Sequence, residues 1–287
     1  MSDVPTAPPY RLIGPEEPVS PVILSIPHAG RDYPVAMADQ LRVPMSALTS
    51  LEDRYVDAVG LAALGDETAL IATRARAWID LNRSEAERDP AVEAGGGLAM
   101  RLHARSAKVR GGLGLIPRRA GNSAPILSRR LEREEVEARI MLDHRPYHAQ
   151  LALLLERARR RFGGAVLIDL HSMPTIRDRA APPRVVIGDR FGQSASAQLV
   201  SRIEAEVEAA GLNVAVNTPY SGGHILDRHG APARGVHAVQ IEIDRACYLD
   251  SRLDQPGPGL ARIARMVRCI LDAARDELLP EARIAAE

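Results

Sequence analysis

The apolar run at 165–170 limits the possible folds of this chain more than any other segment. Two glycines precede it, and it contains five apolar or small residues and Asp169 before it ends at His171 and Ser172. An apolar run of this length between turn signals is typical of a buried strand in an α/β sheet. Because ligands of such sheets bind just beyond the carboxyl ends of strands, His171 is placed like a metal ligand or a general base. Taken alone, it could equally be a core histidine that closes the strand.

Three other strand-like segments also lead into polar side chains. Together they provide a second histidine, guanidinium groups, an amide and a carboxylate, which are side chains from which hydrolytic sites are built. These positions are far apart in sequence, so only a sheet would bring them together. The segments and their polar residues are 21–27 with His28, 69–73 with Arg76, Asn82 and Arg83, and 236–243 with Glu242.

Strand-like and helix-like segments alternate along the chain, without an internal repeat or an interdomain linker. This alternation predicts an α/β fold, with a single domain over 1–287 in which helices flank a mixed central sheet. Pro146 is expected to kink or break the second long helix, because proline lacks the N–H donor. The predicted helices cover 46–64, 128–161, 194–210 and 259–279, and the further strands cover 184–188 and 213–217.

Three regions have no clear helix or strand pattern. Residues 1–20 are predicted to be an extended N-terminal segment, and residues 84–125 a long loop region near the site. Loops of this length are uncommon unless they are functional or disordered. We interpret 84–125 as a flap that covers the substrate, with a merely mobile insertion as the alternative. A glycine-rich loop at 221–235 carries His224 and His229 and could line a pocket.

The composition restricts the partners and the location of the protein. Basic and acidic residues number 37 each, which argues against nucleic acid or a membrane surface as a general partner. No apolar run approaches the ~20 residues of a membrane span, and the N-terminus lacks the pattern of a signal peptide. Cys247 and Cys269 form neither a disulfide framework nor a metal-type pair. We therefore expect a soluble cytoplasmic protein.

The two strand-end histidines, His28 and His171, are the best nitrogen ligands for a metal ion. Zinc hydrolases commonly use two histidines and one carboxylate, and they leave the fourth position open to water. Asp32, Glu52 and Asp53 compete for the carboxylate position. Glu52 is explained by the Thr-x-x-Glu pattern of a capping box. Asp53 is preferred because it is predicted one turn into the helix after the first strand, where its side chain would face the sheet edge.

Eight short motifs occur in the same order as in a known family. Each motif alone would be weak evidence, but the ordered set extends from about residue 20 to 250. On these motifs the sequence resembles the N-formylglutamate amidohydrolase family, whose members are zinc carboxypeptidase-like hydrolases related to aspartoacylase and succinylglutamate desuccinylase. The motifs are Pro27-His28-Ala29-Gly30, Asp53 with Val56-Asp57, Arg76-x-x-Ile79-Asp80-Leu81-Asn82-Arg83, Gly112-Leu113-Gly114-Leu115-Ile116-Pro117-Arg118, Pro146-Tyr147-His148, Asp169-Leu170-His171-Ser172, Gly222-Gly223, and the run from Gly235 to Glu242.

The resemblance implies a fold, a cofactor and a set of site residues. The fold would be a three-layer α/β/α arrangement of the zinc carboxypeptidase type (phosphorylase/hydrolase-like). One Zn²⁺, or another divalent metal, would be bound by His28, Asp53 and His171. The other implied roles are Glu242 as general base and acid, Arg76 as the group that polarises the scissile carbonyl, and Asn82 and Arg83 as the holders of a substrate carboxylate. From its place in the glycine-rich loop, His224 is predicted to be a further substrate-binding residue.

Simpler structural roles stay open for several of these residues. Arg76 and Arg83 could form surface salt bridges, and Asn82 could cap the turn after its strand. Glu242 could pair with an arginine. Each alternative predicts an ordinary ion pair or turn and no convergent pocket.

The resemblance implies a deformylase that cleaves the small molecule N-formyl-L-glutamate, or a similar N-formyl acidic amino acid, to formate and the free amino acid, a step of histidine catabolism. A deacylase for another N-acyl amino acid or a small peptide is the alternative. A metal-free anion-binding protein on the same fold is the alternative from another class. The chain departs from the family at Arg54-Tyr55, where Trp-His is frequent, and at Arg228-His229, where an Arg-His pair is displaced by one position. Both departures fall at predicted pocket walls, so they bear on which substrate is preferred more than on the chemistry.

Overall fold

The computed structural model describes residues 8–95, 106–121, 124–177 and 181–279. The chain divides into two compact units that alternate along the sequence. The first consists of Met1–Arg11, Pro27–Asp53 and Ala72–Gln150, and the second of Leu12–Ile26, Arg54–Ile71 and Leu151–Glu287.

Strands and helices alternate within the described residues. The strands are β1 (Tyr10–Ile13), β2 (Val22–Ile26), β3 (Thr68–Ala72), β4 (Ala165–Met173), β5 (Val185–Gly188), β6 (Val214–Val216) and β7 (Val236–Asp244). The α-helices are α1 (Val35–Ala38), α2 (Val56–Ala63), α3 (Ala107–Arg110), α4 (Arg133–Arg139), α5 (Arg145–Phe162), α6 (Ala197–Ala209), α7 (His224–His229) and α8 (Leu260–Leu278). Short 3₁₀-helices cover Met45–Leu51, Pro232–Arg234 and Arg245–Cys247, and a π-helix covers Ile140–His144.

The strands form one mixed sheet in the order β1-β3-β2-β4-β7-β5-β6. β2 is parallel to β3 and β4, and β4 is parallel to β7. β5 is antiparallel to β7 and parallel to β6. The predicted α/β class with a mixed central sheet is therefore confirmed. Since β2, β4 and β7 are adjacent and parallel, their carboxyl ends lie at one edge of the sheet, where ligands of such sheets bind.

Helices of the second unit pack on the middle of this sheet. α2 and α8 contact each other as well as β2 and β4, while α6 contacts α8, β5 and β6. Gly60 of α2 permits this packing, because a Cβ at that position would lie 2.6 Å from Cδ1 of Ile26. A larger residue would push the helix away from the strands that carry the predicted site residues.

The first unit has its own small core beneath the 3₁₀-helix Met45–Leu51. Its buried apolar residues are Met37, Leu48, Leu51, Ala77, Ala120 and Ile126. α4 begins at a capping box in which Glu132 and Glu135 each accept a hydrogen bond from the other's backbone N–H.

The predicted helix at 46–64 is wrong. The 3₁₀-helix ends at Leu51, Glu52 is extended (φ −73°, ψ 143°), and α2 begins only at Val56. The Glu52 N–H donates to the carbonyl of Thr49, so the expected capping box is absent. Asp53 is therefore in a loop and not one turn into a helix. The physical cause is a long-range hydrogen bond of 3.0 Å from the Asp53 N–H to the carbonyl of His28.

The predicted break near Pro146 takes the form of a π-helix. α4 ends at Arg139, Ile140–His144 form the wider turn, and α5 continues from Arg145. The Arg145 N–H donates to the carbonyl of Ile140, five residues earlier. The wider turn ends two residues before Pro146, whose nitrogen cannot donate to the ladder. The first five residues of the predicted helix, 128–132, are not helical.

The remaining elements agree closely with the sequence, with three differences. β4 continues to Met173, so His171 lies within the strand and not after its end. The predicted loop at 221–235 contains α7 and the 3₁₀-helix Pro232–Arg234. The predicted extended N-terminal segment contains β1. The single-domain organisation stays a prediction.

The described part of the predicted flap is anchored by arginines of the first unit. Arg88 forms ion pairs with Glu93 at 2.9 Å and with Glu137 at 2.5 Å. Arg118 lies 2.9 Å from Asp89. Residues 1–7, 96–105 and 122–123 of the predicted N-terminal segment and flap lie outside the described residues, so the flap stays a prediction. Within the residues that the structure does describe, no helix is both long and apolar enough to cross a membrane.

Candidate active site

In the first unit, His28 and Asp53 form a buried pair that can bind a metal ion. His28 Nε2 lies 2.7 Å from Asp80 Oδ1, and because the carboxylate accepts, Nε2 carries the hydrogen. In a neutral imidazole the lone pair is then on Nδ1, which lies 3.7 Å from Asp53 Oδ2. That distance is too long for a hydrogen bond but allows both atoms to contact one cation. The donor chemistry of this pair fits a divalent metal.

The two rival carboxylates have other partners. Asp32 forms an ion pair with Arg74, and its side chain is 41% exposed. Glu52 accepts a hydrogen bond from the Tyr33 hydroxyl. Asp53 is the member of the three whose carboxylate lies beside His28, and its backbone N–H is bonded to the His28 carbonyl. The geometry of the first unit therefore favours Asp53 for the carboxylate position.

Asp80 organises the polar side chains of the 76–83 segment. Its Oδ2 accepts from Arg76 Nε at 2.8 Å and lies 3.9 Å from Arg83 Nε, and its Oδ1 accepts from the Asn82 N–H at 2.8 Å. Burial by itself would raise the pKa of Asp80, but the guanidinium of Arg76 and the imidazole of His28 hold it well below its usual range. Asp80 was not predicted to have a role in the site, although it lies inside the motif at 76–83.

Arg83 is buried and held in place by two backbone carbonyls. Its Nε donates to the carbonyl of Leu113 at 2.9 Å, and its Nη1 donates to the carbonyl of Asn82 at 2.8 Å. Among the described residues, Nη2 has no protein partner. A surface salt bridge is thus wrong for Arg83, whose side chain is 9% exposed. The orientation of this guanidinium is fixed before any ligand binds.

In the second unit, His171 is held by a carboxylate in the same way as His28. Its Nε2 lies 2.9 Å from Asp169 Oδ2, and Asp169 Oδ1 accepts from the Ser25 hydroxyl at 2.8 Å. Asp169 and His171 are two residues apart in β4, so their side chains lie on one face of the sheet. A carboxylate behind a histidine is the usual partner that orients a metal-ligating imidazole.

Glu242 lies directly across from His171 in the sheet. β4 and β7 are paired so that His171 is opposite Glu242 and Asp169 is opposite Gln240. Gln240 Nε2 donates to Glu242 Oε1 at 2.8 Å, and Glu242 is 9% exposed. The carboxylate therefore has a fixed orientation on the same strand pair as His171. One of its hydrogen-bond partners is therefore the Gln240 amide.

His224 and the two family departures all lie in the second unit. His224 is the first residue of α7 and directly follows Gly223. Burial and the nearby Arg228 lower the pKa of His229 to about 3, so this imidazole is neutral at pH 7. Arg54 Nη2 donates to Asp254 Oδ1 at 2.7 Å, and the Tyr55 hydroxyl donates to Gln255 Oε1 at 2.9 Å. Residues 254–255 thus hold the dipeptide that differs from the family.

Comparisons with known proteins agree with one another. The chain is similar to N-formylglutamate amidohydrolase from Ralstonia eutropha, with 32% identity, a TM-score of 0.86, and coverage of 96% of this chain and 100% of that one. It is also 28% identical to N-formylglutamate deformylase of Pseudomonas putida over 80% of this chain and 82% of the relative. A gene product of Agrobacterium tumefaciens has the same fold, with a TM-score of 0.67 and 20% identity over 95% of this chain and 97% of that one.

The sequence model of one family matches most of the chain. It is the model for N-formylglutamate amidohydrolase, and it covers residues 20–249, which include all the site residues described above. With this match and the similarity to the Ralstonia eutropha enzyme, the chain belongs to the N-formylglutamate amidohydrolase family.

Proposed function

We propose that this protein is a hydrolase that cleaves the amide bond of N-formyl-L-glutamate, releasing formate and L-glutamate. Family membership and the relatives named N-formylglutamate deformylase support this reaction. The observation that carries it is the cluster around Asp80 in the first unit. There, a metal-compatible histidine and two oriented arginines share one buried carboxylate. Arginine can grip a carboxylate with two parallel hydrogen bonds, which suits an acidic substrate.

We propose that His28, Asp53 and His171 bind one Zn²⁺. The topology supports this set, because β2 and β4 are neighbouring parallel strands with Ser25 opposite Asp169. His28 follows Ser25 by three residues, and His171 follows Asp169 by two. Two imidazoles held by carboxylates, together with the Asp53 carboxylate, match the ligands that zinc takes in hydrolases. When bound, such a metal polarises a carbonyl oxygen and lowers the pKa of its water to about 7.

The side chains of this chain then take separate roles in the reaction. Glu242 removes a proton from the attacking water and delivers it to the leaving amine. Arg76 donates to the oxygen of the formyl carbonyl as negative charge develops on it. Donors fixed at such an oxygen usually make the largest single contribution to stabilising the transition state. Asn82 and Arg83 hold a carboxylate of the substrate, and His224 contacts the substrate from α7.

A hydrolysis screen tests the reaction directly. Purified protein, with its metal restored, is incubated with N-formyl, N-acetyl and N-succinyl forms of glutamate, aspartate and an apolar amino acid, and the free amine is measured. We expect the highest kcat/KM for N-formyl-L-glutamate. A preference for another acyl group or amino acid would move the function to a different deacylase. Binding of these compounds without any turnover would instead indicate an anion-binding protein.

Replacement of Arg83 by lysine tests the carboxylate clamp. Arg83→Lys keeps the charge but loses the planar fork, so we expect kcat/KM for N-formyl-L-glutamate to fall about 10- to 100-fold, the equivalent of one hydrogen bond to a charged group (~1.5–3 kcal/mol). The assay compares this substrate with its two monoamides, in each of which one carboxylate is neutral. Arg145→Lys, a change of an exposed arginine that pairs with Glu85, is the matched control.

The pattern across the three substrates decides the role of Arg83. The defect should shrink for the monoamide that lacks the carboxylate held by Arg83. Equal losses on all three substrates would mean that Arg83 acts only through its bonds to Leu113 and Asn82.

A further inference from the structure

Two buried histidines, His144 and His148, have no role in the chemistry described so far. In the sequence, His148 belongs to the Pro146-Tyr147-His148 motif, and neither histidine was given a role. Both imidazoles have 0% exposure, and the ring centroids lie 4.4 Å apart. His144 is the last residue of the π-helix, and His148 lies in the first turn of α5. π-helical turns are rare and occur frequently at functional sites.

Each of these histidines binds a backbone carbonyl of the 76–83 segment. His144 Nε2 lies 2.8 Å from the carbonyl oxygen of Arg83, and His148 Nε2 lies 2.9 Å from that of Leu81. A carbonyl oxygen only accepts, so both imidazoles carry a hydrogen on Nε2 and donate it. The two bonds therefore lie on either side of Asn82.

The same helical segment also holds the start of this loop. Arg139 Nη1 donates to the carbonyl of Trp78 at 2.8 Å, and Trp78 Nε1 donates to Asp143 Oδ2 at 2.8 Å. Within the segment itself, Asp80 accepts from the Asn82 N–H. The carbonyls of residues 78, 81 and 83 thus accept hydrogen bonds from side chains of the continuous helical segment 133–162. The two histidines hold the part that carries Asn82 and Arg83.

We propose that His144 and His148 are positioning residues that orient Asn82 and Arg83 for the substrate carboxylate. The idea rests on the proposed function, because it takes the clamp role of Asn82 and Arg83 from there. The Arg83 guanidinium itself donates to the Asn82 carbonyl. A shift of the backbone at 82–83 would therefore move both this carbonyl and the guanidinium that it orients. Displacements of about 1 Å in a binding group can cost about 100-fold in rate.

The test compares two replacements at each histidine. His144→Leu and His148→Leu remove the donor and keep the side chain buried, whereas His144→Gln and His148→Gln retain an amide N–H near the position of Nε2. His237→Leu is the matched control, because His237 is half-buried at the start of β7 and accepts from the Ser196 N–H. For each protein, the metal content, KM and kcat with N-formyl-L-glutamate and its two monoamides are measured.

We expect the leucine variants to raise KM for N-formyl-L-glutamate about 10- to 100-fold, with a smaller change in kcat and a normal metal content. The glutamine variants should recover most of the loss, and the loss should shrink on one monoamide. Equal impairment of the leucine and glutamine variants would overturn the proposal, as would loss of metal or an equal defect on every substrate.

A structural measurement separates this inference from the proposed function. If the wild-type protein does not hydrolyse N-formyl-L-glutamate, the proposed function fails on its own. A crystal structure of His148→Leu then decides the positioning role, since a displaced backbone at 81–83 supports it and an unchanged backbone overturns it. If His148→Leu does not fold, the structure of His144→Leu decides in the same way, because His144 bonds to the carbonyl of Arg83.

Discussion

The Glu242→Gln variant is expected to bind metal normally and to lose nearly all turnover. Glutamine keeps the size of the side chain and can accept the hydrogen bond of 2.8 Å from Gln240, but it cannot take a proton from water. General acid–base catalysis typically contributes about 10²–10⁴-fold, and kcat should fall within or beyond this range because one group serves both proton transfers. The measurement is kcat at saturating N-formyl-L-glutamate together with the metal content per chain.

The large loss of turnover is expected because of where Glu242 lies. Glu242 is opposite His171 in the parallel pairing of β4 and β7, and it is almost fully buried, so bulk water does not readily replace its function. Glu277→Gln, which removes a carboxylate that pairs with Arg202, is the matched control and should keep its activity. Near-normal turnover of Glu242→Gln would remove the proton-transfer role. Loss of metal would make Glu242 a ligand and would exclude Asp53 from the metal site.

The sequence predicted the strands that carry the candidate site residues better than the segments that connect these strands. Short apolar runs with glycine or proline at their ends were sufficient for β2, β4 and β7, because a buried strand needs little more than continuous apolar residues. Once these strands are parallel neighbours, residues near their carboxyl ends come to one edge whatever their separation in sequence. This is why the sequence could predict that His171 and Glu242 lie close together, and the pairing of β4 and β7 places them opposite each other.

Asp53 shows why local patterns failed in the connections. The Thr-x-x-Glu pattern at 49–52 is a common helix start, yet the backbone of Asp53 is bonded to the carbonyl of His28 on a different part of the chain. One such long-range bond outweighs a helix preference of a few tenths of a kcal/mol per residue. The same limit applies to the π-helix before Pro146, because its residue His144 bonds to the carbonyl of Arg83, which is 61 residues away in sequence.

The carboxylates behind the histidines were missed for a related reason. Asp80 and His28 are 52 residues apart, so their 2.7 Å contact leaves no local signal in the sequence. Asp169 was different, since it precedes His171 by two residues and the alternation of a strand already places both on one face. A histidine paired with an aspartate two residues earlier on a predicted strand would have been a usable signal.

Removal of a proposed metal ligand is the second prediction with a very large effect. We expect Asp53→Ala and His171→Ala each to weaken metal binding by more than about 100-fold, because even the partners behind metal ligands typically contribute 10- to 100-fold. Activity should fall with the loss of metal. The measurement is the metal content per chain after dialysis against a graded series of chelator concentrations, which does not depend on the identity of the substrate.

The rival carboxylates provide the controls for this prediction. Asp32→Asn disrupts the ion pair between the partly exposed Asp32 and the buried Arg74, which keeps its contact with Asp143 at 3.2 Å. Glu52→Gln changes the partner of the Tyr33 hydroxyl. Both variants should retain metal, since neither carboxylate faces His28 as Asp53 does. If Asp32→Asn released the metal while Asp53→Ala retained it, Asp32 would replace Asp53 as the ligand. The 3.7 Å approach of Asp53 to His28 would then be an ordinary contact between buried polar groups.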